Sequence, residues 1–253
     1  MIQINLFKYV ILDKIKSMSH TNNFVLQPEG EIILIDKPLT WTSFDAVKKL
    51  KGALRIKKIG HAGTLDPLAT GLLIICTGKN TKKIEEIQNG IKEYKCKMII
   101  GQSTPSIDLE TEIDKEMPYN HVTNDLIAEK IKDFTGEITQ TPPAHSAVRI
   151  NGERAYKLAR KGIEPEIKSR QVTIHKLEID EINLPEISLT IECSKGTYIR
   201  SLVRDLGIAL GTCAYMSYLR RTKIGAYQVE NALEPIDFVT KVKELQETTS
   251  THA

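Results

Sequence analysis

Apolar residues recur along this chain with two different periods, and the switches between them mark out the elements. Glu31 to Asp36 reads E-I-I-L-I-D, an apolar run that predicts a mostly buried strand, and Lys37-Pro38 stops it. Phe44, Val47 and Leu50 then recur at helical spacing behind Thr42 or Ser43, either of which can cap a helix with its lysines outward. From Leu72, L-L-I-I-C-T-G predicts a second buried strand, followed by a short helix that Asn80 or Thr81 opens, Ile84 and Ile87 anchor, and Asn89-Gly90 closes. Alternation in K-E-Y-K-C-K-M-I-I-G places Tyr94, Cys96 and Met98 on one face of a half-exposed strand and the lysines on the other.

The second half is more broken. Gln102 to Tyr119 is polar with two prolines and reads as a long loop. Thr123 can cap a helix that buries Leu126, Ile127 and Ile131 and ends near Gly136. A turn-rich stretch leads to a basic helix from Glu153 to Lys161, stopped by Gly162. Val172 to Asp180 and Glu186 to Cys193 read as strands, broken at Asn183-Leu184-Pro185. From Thr197 a helix carries Ile199, Leu202, Val203, Leu206 and Leu210 on its apolar stripe, with Arg200 and Arg204 on the other face. A last strand near Lys223 to Val229, a short helix from Pro235 and a polar tail complete the chain. With no repeat and no linker, the expected organisation is an extension over residues 1–28, one catalytic domain over 29–246 and a tail over 247–253.

Between the two buried strands lies G-H-A-G-T-L-D-P-L-A-T-G, Gly60 to Gly71, a predicted loop whose only ionisable side chains are His61 and Asp66. Taken alone, Asp66 before Pro67 reads as a turn cap. As a nucleophile or base it must stay ionised while partly desolvated, which an arginine within about 4 to 6 Å achieves, and Arg200 is the candidate. Tyr94 and Tyr198 are the aromatic rings on which an extruded nucleobase could stack, at about 1 to 3 kcal/mol per base, although a tyrosine on a strand is more often core.

Composition narrows the partner. Hydrophobic residues at 41% and charged ones at 26% describe an ordinary globular protein. A net charge of +3 is too small to diagnose nucleic-acid binding, so the distribution decides. Lys48, Lys49, Lys51, Arg55, Lys57 and Lys58 run into the Gly60 stretch. Arg149, Arg154, Lys157, Arg160 and Lys161 form a second cluster, and Arg220, Arg221 and Lys223 a third. Each alone is a solvated face, but three clusters, one beside the site, point to a polyanion. The four cysteines are widely spaced, which predicts neither a zinc site nor a disulfide and fits a reducing cytoplasm. Neither a signal peptide nor a membrane span is expected. P-loop, nucleophile-elbow, zincin and dinucleotide motifs are missing.

Six segments in order over roughly residues 30 to 230 carry a resemblance: I-D-K-P-L-T-W-T-S-F, G-H-A-G-T-L-D-P-L-A-T-G-L-L, K-E-Y around Tyr94, S-A-V-R-I-N-G-E-R-A-Y, C-S-K-G-T-Y-I-R-S-L and L-R-R-T-K-I-G. Together they resemble the TruB family of tRNA pseudouridine synthases, which isomerise uridine 55 in the T loop. The resemblance implies a mixed α/β pseudouridine synthase fold, with a mostly antiparallel sheet, flanking helices and a central RNA-binding cleft. It implies Asp66 as the catalytic aspartate, Arg200 as its partner, Tyr198 in the same pocket, and Tyr94 as the ring that stacks on the flipped uracil and moves a proton. His61 matches the residue that fills the gap left by the base. Leu219 matches an apolar pocket residue, and Lys37 with Pro38 the family's structural K-P motif. Neither cofactor nor metal is implied; the partner is the T stem-loop of tRNA, with no membrane or protein partner and a monomeric state. Three departures stand out. The family's T-D-T-x-D-x-x-G is T-P-S-I-D-L-E-T here, keeping Thr104 and Asp108 but changing Pro105 and Ser106, which puts RNA contacts from that loop in doubt. His145 replaces a common tyrosine, with substrate docking the property at stake. The C-terminal PUA module of many relatives is not expected, so tRNA affinity would rest on the catalytic domain. The alternative of a different class is a non-catalytic tRNA-binding or folding factor on the same scaffold, which would have no need of a paired carboxylate.

Overall fold

The structure, a computed structural model, describes residues 30–250 apart from 147, 151, 160, 164 and 165. The expected extension over residues 1–28, the end of the tail and Arg160 of the second basic cluster therefore lie outside the described residues. The chain forms two compact units, one from the described parts of Met1–Gly90 and Arg221–Ala253, the other from Ile91–Arg220.

The first unit begins with β1 (Ile32–Lys37), α1 (Ser43–Leu54), β2 (Ile59–Ala62), β3 (Ala69–Thr77), a 3-10 turn and α2 (Ile84–Asn89). β3 pairs antiparallel with β1 along one edge, Lys37 opposite Gly71, and with β2 along the other, His61 opposite Ile75. Both faces of β1 and β3 are covered, which is why their sequences are continuous apolar runs. Ile33, Ile35, Leu73 and Ile75 pack with Val47 and Leu50 of α1, while Leu34, Leu72 and Ile74 face Ile87 and Ile224.

Two expectations change here. The Gly60–Gly71 stretch is mostly a β-hairpin, since β2 and β3 take up both its ends and leave only the tip as a turn. Phe44 is 69% exposed, and the buried stripe of α1 is Ser43, Ala46, Val47, Leu50 and Leu54. At about 100° per residue Phe44 stands a quarter turn away from Ser43, so spacing to Val47 alone misplaced it. Thr42 is the N-cap, in a reciprocal capping box with Asp45.

The second unit holds β4 (Lys92–Ile100), β5 (Gln102–Ser103), β6 (Lys115–Glu116), α3 (Asn124–Lys130), β7 (Gly136–Gln140), β8 (Arg149–Ile150), β9 (Glu153–Arg154), α4 (Ala155–Ala159), β10 (Arg170–Asn183), β11 (Glu186–Cys193), α5 (Ile199–Ala209) and most of β12 (Ala214–Ile224). Its sheet is antiparallel at each of the pairings of β4 with β11, β11 with β10 and β10 with β7. The chain then returns to the first unit with β13 (Tyr227–Gln228) and α6 (Pro235–Ser250).

Five further readings are corrected. The long loop over 102–119 is tied at its base by β5 and β6. The basic helix is shorter than expected, because Glu153 and Arg154 pair with Ile150 and Arg149 before α4 starts. The strand expected near Lys223 to Val229 is divided between the end of β12, which begins at Ala214, and β13, and the tail from Glu247 is helical through Ser250 as part of α6. Arg200 lies on the buried side of α5, 4% exposed, and not on a solvent face. Among the described residues no helix is long and apolar enough to cross a membrane.

Candidate active site

Asp66 sits half-buried at the tip of the β2–β3 hairpin. Gly63, at φ +90°, opens the tip in a conformation that favours glycine, and the Ala69 N–H donates to the Asp66 carbonyl at 3.1 Å to close it. Three groups then hold it from outside. The buried Ser43 hydroxyl accepts from the Leu65 N–H at 2.9 Å and donates to the Leu65 carbonyl at 3.1 Å. The Thr40 N–H donates to the Pro67 carbonyl at 2.9 Å. Lys37, fully buried, donates from Nζ to the carbonyls of Trp41 at 2.6 Å, Pro38 at 3.0 Å and Pro67 at 3.4 Å.

The fourth holder was not among the sequence candidates. Arg221, 1% exposed, donates from Nε to Leu72 at 2.8 Å, from Nη2 to Gly63 at 3.0 Å and from Nη1 to Thr64 at 3.5 Å. Its guanidinium thus bridges both arms of the hairpin, and the third basic cluster loses that cation to the interior. Gly71, at φ +100°, admits the approach, because a Cβ there would lie 2.2 Å from the Arg221 carbonyl oxygen. In the fold Arg221 stands two residues after the buried Leu219 on the same face of β12, but the burial pattern shifts phase between Met216 and Leu219, so the sequence shows no alternation that marks it.

These charges act on one another. Burial is the main cause that lowers the Lys37 ammonium to about 8; Asp66 opposes the shift, and Arg221 adds to it. Below that pH the ammonium is charged in the folded and unfolded chain alike, and its burial costs stability. Between about 8 and 10.5 the folded chain has lost the proton that the unfolded chain keeps, so stability rises with pH. Relative to Lys37→Met, the wild type should gain about 1.4 kcal/mol per pH unit in this window. Urea unfolding of both proteins at about pH 7.5 and about pH 9.5 measures it; a constant difference would refute the assignment.

His61 is half-buried on β2, and its Nδ1 is buried with no hydrogen bond. Burial first, and Arg221 second, hold its imidazole below the ordinary value, with the Gly63 backbone acting the other way. The ring is therefore neutral at neutral pH.

In the second unit the buried Gln140 side chain clamps the start of α5, donating to the Tyr198 carbonyl at 3.0 Å and accepting from the Tyr198 N–H at 2.7 Å. This fixes Arg200 two residues on. Its guanidinium donates to the carbonyls of Ser106 at 3.0 Å and His145 at 2.9 Å, with Nε 3.6 Å from the Asp108 carboxylate. Thr104 donates to the Asp108 carbonyl at 2.6 Å, and the Glu110 N–H donates to the Asp108 carboxylate at 2.9 Å. Thr104 and Asp108, the two residues kept from the family pattern, thus help build the Arg200 cradle. Ser106 and His145 meet Arg200 through backbone carbonyls, which any residue supplies. Tyr94 lies on β4 opposite Ile191 and is 8% exposed. Tyr198 is half-buried, with the Arg170 guanidinium 4.9 Å from its ring centre, and Leu219 is buried on β12. Asp66, His61 and Lys37 thus belong to the first unit, and Tyr94, Tyr198, Arg200 and Leu219 to the second.

Two solved structures share this fold. A chain of an H/ACA ribonucleoprotein bound to a substrate RNA containing 2′-deoxyuridine is 29% identical, with a TM-score of 0.62 over 84% of this chain and 53% of that one. A chain of a Cbf5–Nop10–Gar1 complex is 30% identical, with a TM-score of 0.65 over 87% of this chain and 59% of that one. The present chain therefore spans little more than half the length of these structural relatives. Sequence takes the assignment further. Residues 51–199 match the TruB family pseudouridylate synthase N-terminal domain, and residues 200–251 match the tRNA pseudouridylate synthase B C-terminal domain. A tRNA pseudouridine synthase B of Flavobacterium johnsoniae is 56% identical over 213 residues, 81% of this chain and 93% of the relative. One of Parabacteroides distasonis is 51% identical over 212 residues, 81% of this chain and 90% of the relative. The chain belongs to the TruB family of pseudouridylate synthases.

Proposed function

We propose that this chain is a tRNA pseudouridine synthase that converts uridine 55 of the T loop into pseudouridine. The observation that carries the reading is a half-buried carboxylate, Asp66, on a glycine-framed hairpin tip held by Ser43, Thr40, Lys37 and Arg221. A tip fixed at so many points orients a reacting oxygen before substrate arrives.

Asp66 attacks the ribose at C1′. The bond from C1′ to N1 breaks, its electron pair leaves with the uracil, and an ester bond from C1′ to the Asp66 oxygen replaces it. The uracil turns, C5 bonds to C1′ and displaces the carboxylate, C5 gives up its proton to a base, and N1 takes one up. Atoms and electrons balance within substrate and enzyme, and the reading assigns no cofactor. Tyr94 serves as stacking ring and proton carrier, Arg200 as the counter-charge of the nucleophile, Tyr198 and Leu219 as pocket walls, His61 as the neutral wedge, and Lys37 as the support of the tip. The protein works on the T stem-loop as a cytoplasmic monomer, without a protein partner.

The test is pseudouridine mapping in full-length tRNA and in a T stem-loop, each with uridine or cytidine at position 55. Product at that position in the uridine RNAs alone is expected. Absence of product, or product only elsewhere, overturns the reading.

A further inference from the structure

α1 carries a face that the Asp66 machinery does not use. Phe44, Lys48 and Lys51 recur at i, i+4 and i+7 and so share one flank of α1, Arg55 follows as the C-cap at φ +51°, and all four are exposed. The acid of this helix, Asp45, lies off the flank and is bonded to Thr42 in the capping box. From Phe44 to Arg55 the flank extends about 16 Å, long enough to follow several phosphates.

Its upper end is joined to the site. Ser43, the neighbour of Phe44, is bonded to Leu65, and Thr40 is bonded to Pro67. Leu39, the neighbour of Thr40, is 55% exposed. Two exposed apolar side chains thus stand one residue from the bonds that hold the Asp66 tip, and three cations lead away from them. A single exposed apolar residue means little. Apolar groups beside a reactive tip, continued by three cations with a single nearby acid, Asp45, that is already bonded to Thr42 and acts on Lys48, match a nucleic acid that offers unstacked bases at one end and phosphates along its length.

We propose that this flank is a docking strip for the RNA substrate: Leu39 and Phe44 meet unstacked bases of the loop presented to Asp66, and Lys48, Lys51 and Arg55 bind phosphates of the adjoining stem. The identity of the RNA rests on the function proposed above. The strip itself is a binding surface and is tested as one.

The experiment measures the Kd of a T stem-loop RNA over a salt series for the wild type, Phe44→Ala and the triple variant K48Q/K51Q/R55Q. The triple variant should bind at least about tenfold more weakly at low salt and reduce the slope of log affinity against log salt by about two. Phe44→Ala should weaken binding by about tenfold and leave the slope unchanged. These side chains are exposed, so urea midpoints equal to the wild type confirm that folding is intact. Wild-type Kd and slope in the triple variant overturn the strip. Wild-type affinity in Phe44→Ala overturns the apolar part, as expected if Phe44 faces a protein instead. Pseudouridine is measured in the same wild-type preparation: no product there refutes the proposed function, while the strip still stands or falls on the slopes.

Discussion

Asp66→Asn should lower pseudouridine formation by at least about 10³-fold, equivalent to about 4 kcal/mol of barrier. Asparagine has nearly the same shape as aspartate but lacks the anionic oxygen that forms the ester, and the tip remains held because Ser43, Thr40 and Arg221 bond to backbone atoms of its neighbours. RNA affinity should therefore stay within about threefold of the wild type, since the phosphates are bound elsewhere. The substitution also removes the anion that raises the Lys37 pKa, so the rise of stability with pH should begin lower than in the wild type. Tritium release from RNA labelled at C5 of uridine, with binding measured in parallel, separates chemistry from docking. More than about a tenth of wild-type activity in the asparagine variant would rule out Asp66 as the nucleophile.

Arg221→Met should destabilise the protein by about 3 to 5 kcal/mol, because the carbonyls of Gly63 and Leu72 lose charged donors inside the fold. Arg221→Lys should rescue little. One ammonium cannot reproduce the fork that reaches Leu72 at 2.8 Å and Gly63 at 3.0 Å together. The contrast with a phosphate-binding arginine is sharp: such a residue, when replaced, would leave the urea midpoint unchanged and reduce the salt dependence of RNA binding. The expectation is the reverse, a lowered midpoint and an unchanged slope in the folded fraction. Pseudouridine formation should fall with hairpin order, because the same bonds set the position of Asp66.

Much of the fold was legible because its elements have strong periods. β1 and β3 are buried on both faces and read as continuous apolar runs, and α5 shows its stripe of Ile199, Leu202, Val203 and Leu206 directly. β12 was harder, since its buried positions include Arg221 and shift phase between Met216 and Leu219, which hides the alternation. The hairpin over 59–77 read as a loop because glycines and a proline crowd it, although β3 pairs along both edges. Phe44 shows the opposite error: an apolar residue was assigned to the core by type, and the helical angle puts it in solvent.

For the site, motif order along the chain was sufficient to single out Asp66, His61, Lys37, Tyr94, Tyr198, Arg200 and Leu219, since residue type and spacing are local properties. The work each cation does is not local. Arg220 and Arg221 are adjacent in a basic run, yet only packing makes one half-buried and the other the bracket of the Asp66 hairpin. In the same way Thr104 and Asp108 look like remnants of a degraded RNA-binding loop until the Arg200 guanidinium is seen against them. The sequence by itself determined most of the strands and helices and singled out Asp66 as the candidate carboxylate. The tertiary structure alone decided which charges are buried to hold that carboxylate and which, on the flank of α1, are left in solvent, because burial depends on partners distant along the chain and no local pattern encodes them.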